Sequence, residues 1–508
     1  RATPGTGKKL SRSCRTGNPA RGYIPEVCPP WRMRRVDRRA LLTAAAAGMA
    51  ALTGCQSAGE TPTDGATSPA GTDSSEGSET ATPPADTPSG WSPERAELED
   101  RTRAFLGLLQ EGAFETAHGR FTPGAAEQVS VERLERTWGG ITDEFGGYLG
   151  VSGLEHSERN GNRVVAGTAR FERGQLRAIL SFVEAGVAGF RLVPGGGQWS
   201  PAGYVDQSAF TERALSLSTP VDCSLGATLT LPVGDGAVPG VVLVHGSGPN
   251  DRDETVGPTK LFKDLAWGLA SRGVACLRYD KRTAACDIDL ADATIDEVVT
   301  DDALTAVERL GEVDRVPDDS VVVVGHSIGG TLAPRVATRA GDLAGVVMVA
   351  ALARPVTDAL LQQNRYLAER DGAVTDAERD QLARVERLVE QIRTGDIPDD
   401  EVAYLGGDEY WRTLREYDPV ATAQGLSLPR LVLQGERDYQ VTPEGDFARW
   451  QAALGGQASV TFRRYDRLNH LFMPGEGQPG PAEYLQPNNA PERVVEDIAA
   501  FVTEQTQA

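Results

Sequence analysis

The residue pattern of this chain specifies an α/β fold: a doubly wound, mostly parallel sheet with a helical cap insertion, preceded by a small α+β domain. Continuous apolar runs such as Val241-Val242-Leu243-Val244 and Val321–Val324 have the length of strands covered on both faces. Helix-period runs alternate with them; Leu261, Phe262, Leu265, Ala266 and Leu269 form one. Ahead of them, a stretch of about one hundred residues carries helices and then short strands, the order of an α+β unit.

Taken from the N-terminus, residues 1–32 are rich in Pro, Gly and Arg and lack an apolar period. They read as an upstream segment before a start at Met33. Arg34, Arg35, Arg38 and Arg39 then form a basic region before the fifteen-residue apolar run Ala40–Gly54. A spanning helix needs about 20 such residues, so 33–55 reads as a signal peptide. It ends in Leu52-Thr53-Gly54-Cys55, the pattern of a lipoprotein cleavage site with Cys55 as lipid attachment, and the Arg38-Arg39 pair resembles a twin-arginine export signal. The expected location is the outer face of the cytoplasmic membrane, with the membrane contacted through the lipid anchor. Residues 56–92 are too polar to bury a core and read as a disordered linker.

The small domain is expected over 93–200, with helices at Ala96–Glu111 and Val131–Trp138 and strands at Arg163–Phe171, Gln175–Phe182 and Val187–Val193. Its His118 and His156 have no catalytic spacing. The larger domain is expected over 205–508, with the helix-prone, polar stretch from about 356 to 418 as its cap.

Charge narrows the partners. Residues 1–54 hold 11 of the 51 Lys/Arg and 2 of the 72 Asp/Glu, so the remainder carries −30 against −21 for the whole chain. Such a surface repels phosphates, which argues against nucleic acid and anionic headgroups as partners. The only lysines after Cys55 are Lys260, Lys263 and Lys281. Dense carboxylate with scarce lysine fits a salt-adapted protein, or the arginine bias of a high-GC bacterium. Among the cysteines, Cys276–Cys286 is a candidate disulfide in an exported protein, but a cysteine within a run such as Val274–Leu277 is more often a small buried hydrophobe. No cysteine pair has metal-ligand spacing alongside histidines, and no metal or cofactor is expected.

The chemistry lies in the larger domain. Gly325-His326-Ser327-Ile328-Gly329 follows the run Val321–Val324 and precedes a small-residue helix start. That strand–turn–helix placement is what a nucleophile elbow requires, with Ser327 as nucleophile. A serine needs a base and the base an acid, in the chain order Ser, acid, His. His470 is the only histidine after Ser327. Asp438, in the loop after Leu431-Val432-Leu433-Gln434, is the expected acid, with Glu436 as fallback. His245-Gly246-Ser247-Gly248-Pro249 follows the first buried strand and suits an oxyanion loop, its backbone donors being Ser247 and Ile328, or Gly248. Asp251, Arg252, Asp253 and Arg282 are either an ion-pair network bracing that loop or solvated charges.

At these residues the chain resembles a known group. His245-Gly246-Ser247-Gly248-Pro249-Asn250-Asp251-Arg252-Asp253-Glu254, Arg278-Tyr279-Asp280-Lys281-Arg282 and Gly325-His326-Ser327-Ile328-Gly329-Gly330 are similar to motifs of the EstD-type bacterial carboxylesterases of the α/β-hydrolase superfamily. Those join an α/β-hydrolase domain to a small domain of the DUF3887, NTF2-like kind. The resemblance, from about residue 95 onward, implies a small-molecule ester substrate with a short acyl chain, no cofactor, and Ser327, Asp438 and His470 as triad. The alternatives are a serine peptidase sharing fold and triad, and a non-catalytic tethered binding lipoprotein.

Overall fold

Side chains of successive strand residues point to opposite faces, so a strand that is apolar throughout needs cover on both sides. The computed structural model shows that cover. It describes residues 92–506 other than 160, 173, 185, 195–198, 221–222 and 398–405. The expected upstream segment, the signal peptide with Cys55, and the linker up to residue 91 lie outside the described residues. Among the described residues, no helix is long and apolar enough to cross a membrane.

The first unit packs helices α1 (Ser92–Gln110) and α2 (Val131–Phe145) on an antiparallel meander of β1 (Tyr148–Arg159), β2 (Asn162–Phe171), β3 (Gly174–Val183) and β4 (Gly186–Pro194). In β3 the alternate residues Leu176, Ala178, Leu180 and Phe182 are buried against Phe105, Leu106, Leu134 and Trp138. The sequence reading misses β1 for a local reason. Its register shifts between Tyr148 and Gly150 and again between Ser152 and Glu155, and positive φ at Gly150 and Gly153 interrupts the alternation that marks a strand. Helix α1 also begins at Ser92, four residues before the periodic pattern suggests. His118 bonds to Ala126 O at 3.3 Å, and His156 meets Glu99 Oε1 of α1 at 3.2 Å.

The second unit is built on eight strands: β5 (Phe210–Ser218), β6 (Ser224–Pro232), β7 (Gly240–Val244), β8 (Ala275–Tyr279), β9 (Val321–His326), β10 (Gly345–Val349), β11 (Arg430–Gly435) and β12 (Val460–Tyr465). Their order across the sheet is β12-β11-β10-β9-β7-β8-β6-β5. From β12 to β8 every pairing is parallel, whereas β6 and β5 add antiparallel at one edge. Val242, Val244, Val323, Val346 and Met348 face a core that includes α4 (Asp301–Gly311) and α5 (Ile328–Ala340). Their neighbours Val241, Leu243, Val322, Val324 and Val347 face α3 (Leu261–Ala270) and α9 (Glu492–Thr506) on the other side. This is the doubly wound sheet expected. Between β10 and β11, in the stretch read as a cap, stand α6 (Val356–Glu369), α7 (Asp376–Thr394) and α8 (Asp408–Glu416). Helix α7 starts with a capping box, the Thr375 hydroxyl accepting from Glu378 N–H while the Glu378 carboxylate accepts from Thr375 N–H.

The candidate pair Cys276–Cys286 does not form, and Cys276 is the small buried hydrophobe that its apolar run suits. Cys286 is bonded to Cys223, with the Cα atoms 6.0 Å apart, and Cys276 is a buried free thiol. The reason is topological. Cys276 points from β8 into the apolar layer beside α3, whereas Cys286 caps the short helix Arg282–Ala285, and Cys223 immediately precedes β6. Closing a loop across 63 residues removes about 4 kcal/mol of chain entropy from the unfolded state. The bond also pins the end of the Arg278–Arg282 motif to the sheet.

Candidate active site

Ser327 stands between β9 and α5 with φ +54° and ψ −120°, a conformation side chains rarely adopt. Its own N–H donates to Val349 O at 2.9 Å, and its carbonyl accepts from Thr331 N–H and the Thr331 hydroxyl. Close packing explains the flanking glycines. A Cβ on Gly325 would fall 2.2 Å from Gly329 O, and one on Gly329 would fall 2.2 Å from Val244 O. The turn therefore forces Ser327 to the carboxyl edge of the sheet, at the N-terminal end of α5.

The predicted acid and base meet it there. His470 Nε2 is 3.1 Å from Ser327 Oγ, and His470 Nδ1 is 2.8 Å from Asp438 Oδ2. All three residues are buried. Asp438 Oδ1 accepts from the N–H groups of Gln440 (2.8 Å) and Val441 (2.9 Å), which fix the carboxylate on its loop. The histidine loop is held by its neighbour: Asn469 Oδ1 accepts from Leu471 N–H and Met473 N–H, each at 3.1 Å. Gly435 lets the two loops pass, since a Cβ there would lie 2.3 Å from Leu468 O. Glu436, the fallback acid, turns away and pairs with Arg464 at 2.7 Å.

Ser247 lies in the loop after β7, next in sequence to Gly246, which stands beside Ser327. A Cβ on Gly246 would come within 3.3 Å of Ser327 Cβ. The peptide groups of Gly246 are held by buried side chains on both sides: its N–H donates to Glu254 Oε1 at 2.7 Å, and its carbonyl accepts from Lys281 Nζ at 2.7 Å. Asn250 Nδ2 donates to the carbonyls of Gly246 and Ser247. With its carbonyls engaged, the loop is oriented for its N–H groups to serve as donors. Ile328 N–H, at the first position of α5, has no acceptor within its own helix.

The charged motifs resolve into pairs. Arg252 makes a bidentate contact with Asp280, and Asp253 accepts from Arg278 at 2.8 Å and Lys260 at 2.7 Å. Arg282 pairs with Asp302 behind them. Asp251 instead accepts from Thr255 and from its own loop's backbone. The four residues named from sequence thus go to different partners instead of forming one network, and Arg278 joins Asp253 to Thr230 and Glu212.

Sequence reasoning assigned no role to Glu254, His326 or Lys281, although all three stand within the quoted motifs. Glu254 is buried, carries a positive φ of 50°, and lies 3.1 Å from His326 Nδ1, close enough for an ion pair though not aligned as a hydrogen bond. His326 Nε2 donates to His470 O at 2.9 Å. One imidazole therefore links the oxyanion loop to the loop of the base. Burial opposes a charge on His326, but the Glu254 carboxylate and the His470 carbonyl outweigh it and hold His326 above its ordinary value. Burial likewise works against the Glu254 charge, and His326, His245 and the Gly246 N–H more than offset it, keeping Glu254 below its ordinary value. Burial pushes Lys281 down to about 8 against the pull of Glu254 and Asp302, and pushes His245 down to about 4. Among the described residues no group of three or more His, Cys, Asp or Glu is placed to hold a metal ion.

A group that binds its proton more tightly when folded adds stability below its ordinary pKa and loses it as pH rises through the folded value. For His326 that window opens above its ordinary value of 6.5. Glu254→Gln removes the cause. The wild type should therefore exceed Glu254→Gln in urea midpoint most clearly at pH 6, and the gap should shrink toward pH 9 as His326 and Lys281 lose their protons. A gap that stays constant or widens over this range would refute the pairing.

Residues 241–483 match the sequence profile of the alpha/beta hydrolase family. The chain is 35% identical over 400 residues to esterase EstD of Thermotoga maritima, an alignment that covers 78% of this chain and 93% of that protein. Among solved structures, an esterase of Pyrococcus furiosus aligns at 13% identity with a TM-score of 0.39, covering 61% of this chain and 96% of the other. Est1E of Butyrivibrio proteoclasticus, solved with ferulic acid, aligns at 19% identity with a TM-score of 0.40, covering 58% and 100%. From the extent and identity of the match to EstD, this chain belongs to the α/β-hydrolase family, on the EstD-type side of it.

Proposed function

We propose that the protein is a carboxylesterase that cleaves small esters of short acyl chains through an acyl-Ser327 intermediate. The observation that carries this reading is the continuous contact from Asp438 through His470 to Ser327 at the elbow. In the forward step His470 Nε2 takes the Ser327 proton as Oγ attacks the ester carbonyl. Asp438 holds the imidazole in the tautomer that can accept this proton, and stabilises the imidazolium formed. The tetrahedral oxyanion is met by the backbone N–H groups of Ser247 and Ile328, at the positive end of α5. Collapse expels the alcohol, which leaves with the proton from His470. Water then attacks the acyl group with His470 again as base, and the acid departs.

The same reading includes export and anchoring through Cys55. The basic region, the fifteen-residue apolar run and the cysteine that ends it support this, and so does the Cys223–Cys286 bond, which suits an oxidising compartment.

Hydrolysis of p-nitrophenyl esters from C2 to C12 tests the activity. Activity should be greatest at the short end, and Ser327→Ala and His470→Ala should each lower kcat by about 10⁶-fold and Asp438→Asn by about 10⁴-fold. Unchanged turnover in Ser327→Ala would remove the reading. For the anchor, Cys55→Ser should shift the protein from the membrane fraction to the soluble fraction of the host. Retention in the membrane would count against lipidation.

A further inference from the structure

Three consecutive residues of the catalytic unit, Glu483-Tyr484-Leu485, reach both catalytic loops and the core of the small domain. They lie in the short helical turn Pro481–Leu485, between the histidine loop and α9. Leu485 is 2% exposed and sits within the apolar core of the small domain, whose other buried members all come from residues 98–187. Ala482 packs beside it, and the amide of Gln486 approaches Gly174 at the start of β3. This is how the small domain grips the catalytic unit.

Glu483 faces the other way, onto both catalytic loops. Its carboxylate accepts from Arg437, the residue before Asp438, in a two-pronged contact with one arm at 3.0 Å. It also accepts from Asn469 Nδ2 at 3.1 Å, and Asn469 precedes His470. Tyr484 lies between these two residues in sequence and is buried. Its hydroxyl accepts from Gln440 Nε2 at 3.0 Å, and its ring stacks on Tyr439, the residue after Asp438. Tyr439 in turn stacks on Tyr366 of α6, with ring centres 5.2 Å apart. The Tyr484 carbonyl also abuts Gly257, in the hairpin that follows Glu254, where a Cβ would come within 2.7 Å.

We infer that Glu483-Tyr484-Leu485 is a positioning strut through which docking of the small domain holds Asp438 and His470 in register for Ser327. The role assigned to the small domain is therefore to set the geometry of the catalytic acid and base. The physical case is that Asp438 and His470 sit on separate loops, and a displacement near 1 Å in such a pair costs up to about a hundredfold in rate. One carboxylate, that of Glu483, bonds to the sequence neighbours of both. The next-but-one side chain is buried in another domain's core, so the carboxylate cannot shift without disturbing that packing. The inference rests on the esterase reading only for its substrate.

The test uses the full chain and two readouts: kcat and KM on p-nitrophenyl butyrate, and the rate at which a fluorophosphonate labels Ser327, which needs no ester turnover. Leu485→Ala and Glu483→Gln should each lower kcat and the labelling rate about tenfold with KM within twofold, at temperatures well below melting. Leu485→Met, which refills the small-domain core, should restore both to within twofold of wild type. Should Leu485→Ala fail to fold, Tyr484→Phe keeps the ring and loses the hydroxyl that accepts from Gln440; it should still slow labelling about threefold. Labelling and kcat that stay within twofold of wild type in Glu483→Gln and Tyr484→Phe would overturn the inference. A wild type labelled at Ser327 yet inert toward every ester would instead overturn the esterase reading, and the labelling rates would still decide on the strut.

Discussion

The site depends on one backbone constraint, the left-handed conformation imposed on Ser327 where β9 turns into α5. A non-glycine residue in such a region costs about 1–3 kcal/mol and persists only where its surroundings over-determine it. Here they do. The residue's N–H is bound by Val349 of the next strand, its carbonyl is bound by Thr331, and glycines at 325 and 329 sit where no side chain fits. The strands on either side, β7 and β10, are buried along their whole length. The hydrophobic sheet is thus what holds the serine in a conformation it would not adopt alone, and it aims Oγ at the one edge where the acid and base loops emerge.

Around that turn the molecule spends buried charge to fix backbone. A buried ion is costly unless it is paired and hydrogen-bonded. The buried charged groups nearest the site find their partners on the oxyanion loop or the elbow. Glu254 takes the Gly246 N–H, Lys281 takes the Gly246 carbonyl, and His326 joins Glu254 to the loop of His470. The positive φ of Glu254 is a second strained position held in the same way. A rigid, preorganised donor loop serves a reaction that develops negative charge on an oxygen, because little reorganisation remains to be made in the transition state.

Much of this was legible in the residues. The parallel core followed from apolar runs that match the strands, and Ser327, Asp438 and His470 followed from chain order once a strand and helix flanked the elbow. A histidine that stands alone after the serine leaves no choice of base. What stayed hidden depends on contacts between distant segments. The partner of Cys286 is fixed by β6 lying beside β8 in the sheet order, and no spacing rule reports that. Glu254 and Lys281 look like loop charges until the fold closes over them, and Arg278 looks like the polar end of a strand. Leu485 reads as one leucine in a Pro-rich loop, and its place in the core of the small domain appears only when the two units are seen together.

Whether Ser327 is the nucleophile of a preorganised triad is decided by mass mapping of the protein after reaction with a fluorophosphonate. A single adduct per chain should appear on the peptide containing Ser327, formed in step with loss of esterase activity and absent when His470 is replaced by alanine. Loss of activity with the adduct on another residue, or full ester turnover by protein already modified at Ser327, would contradict that role for Ser327.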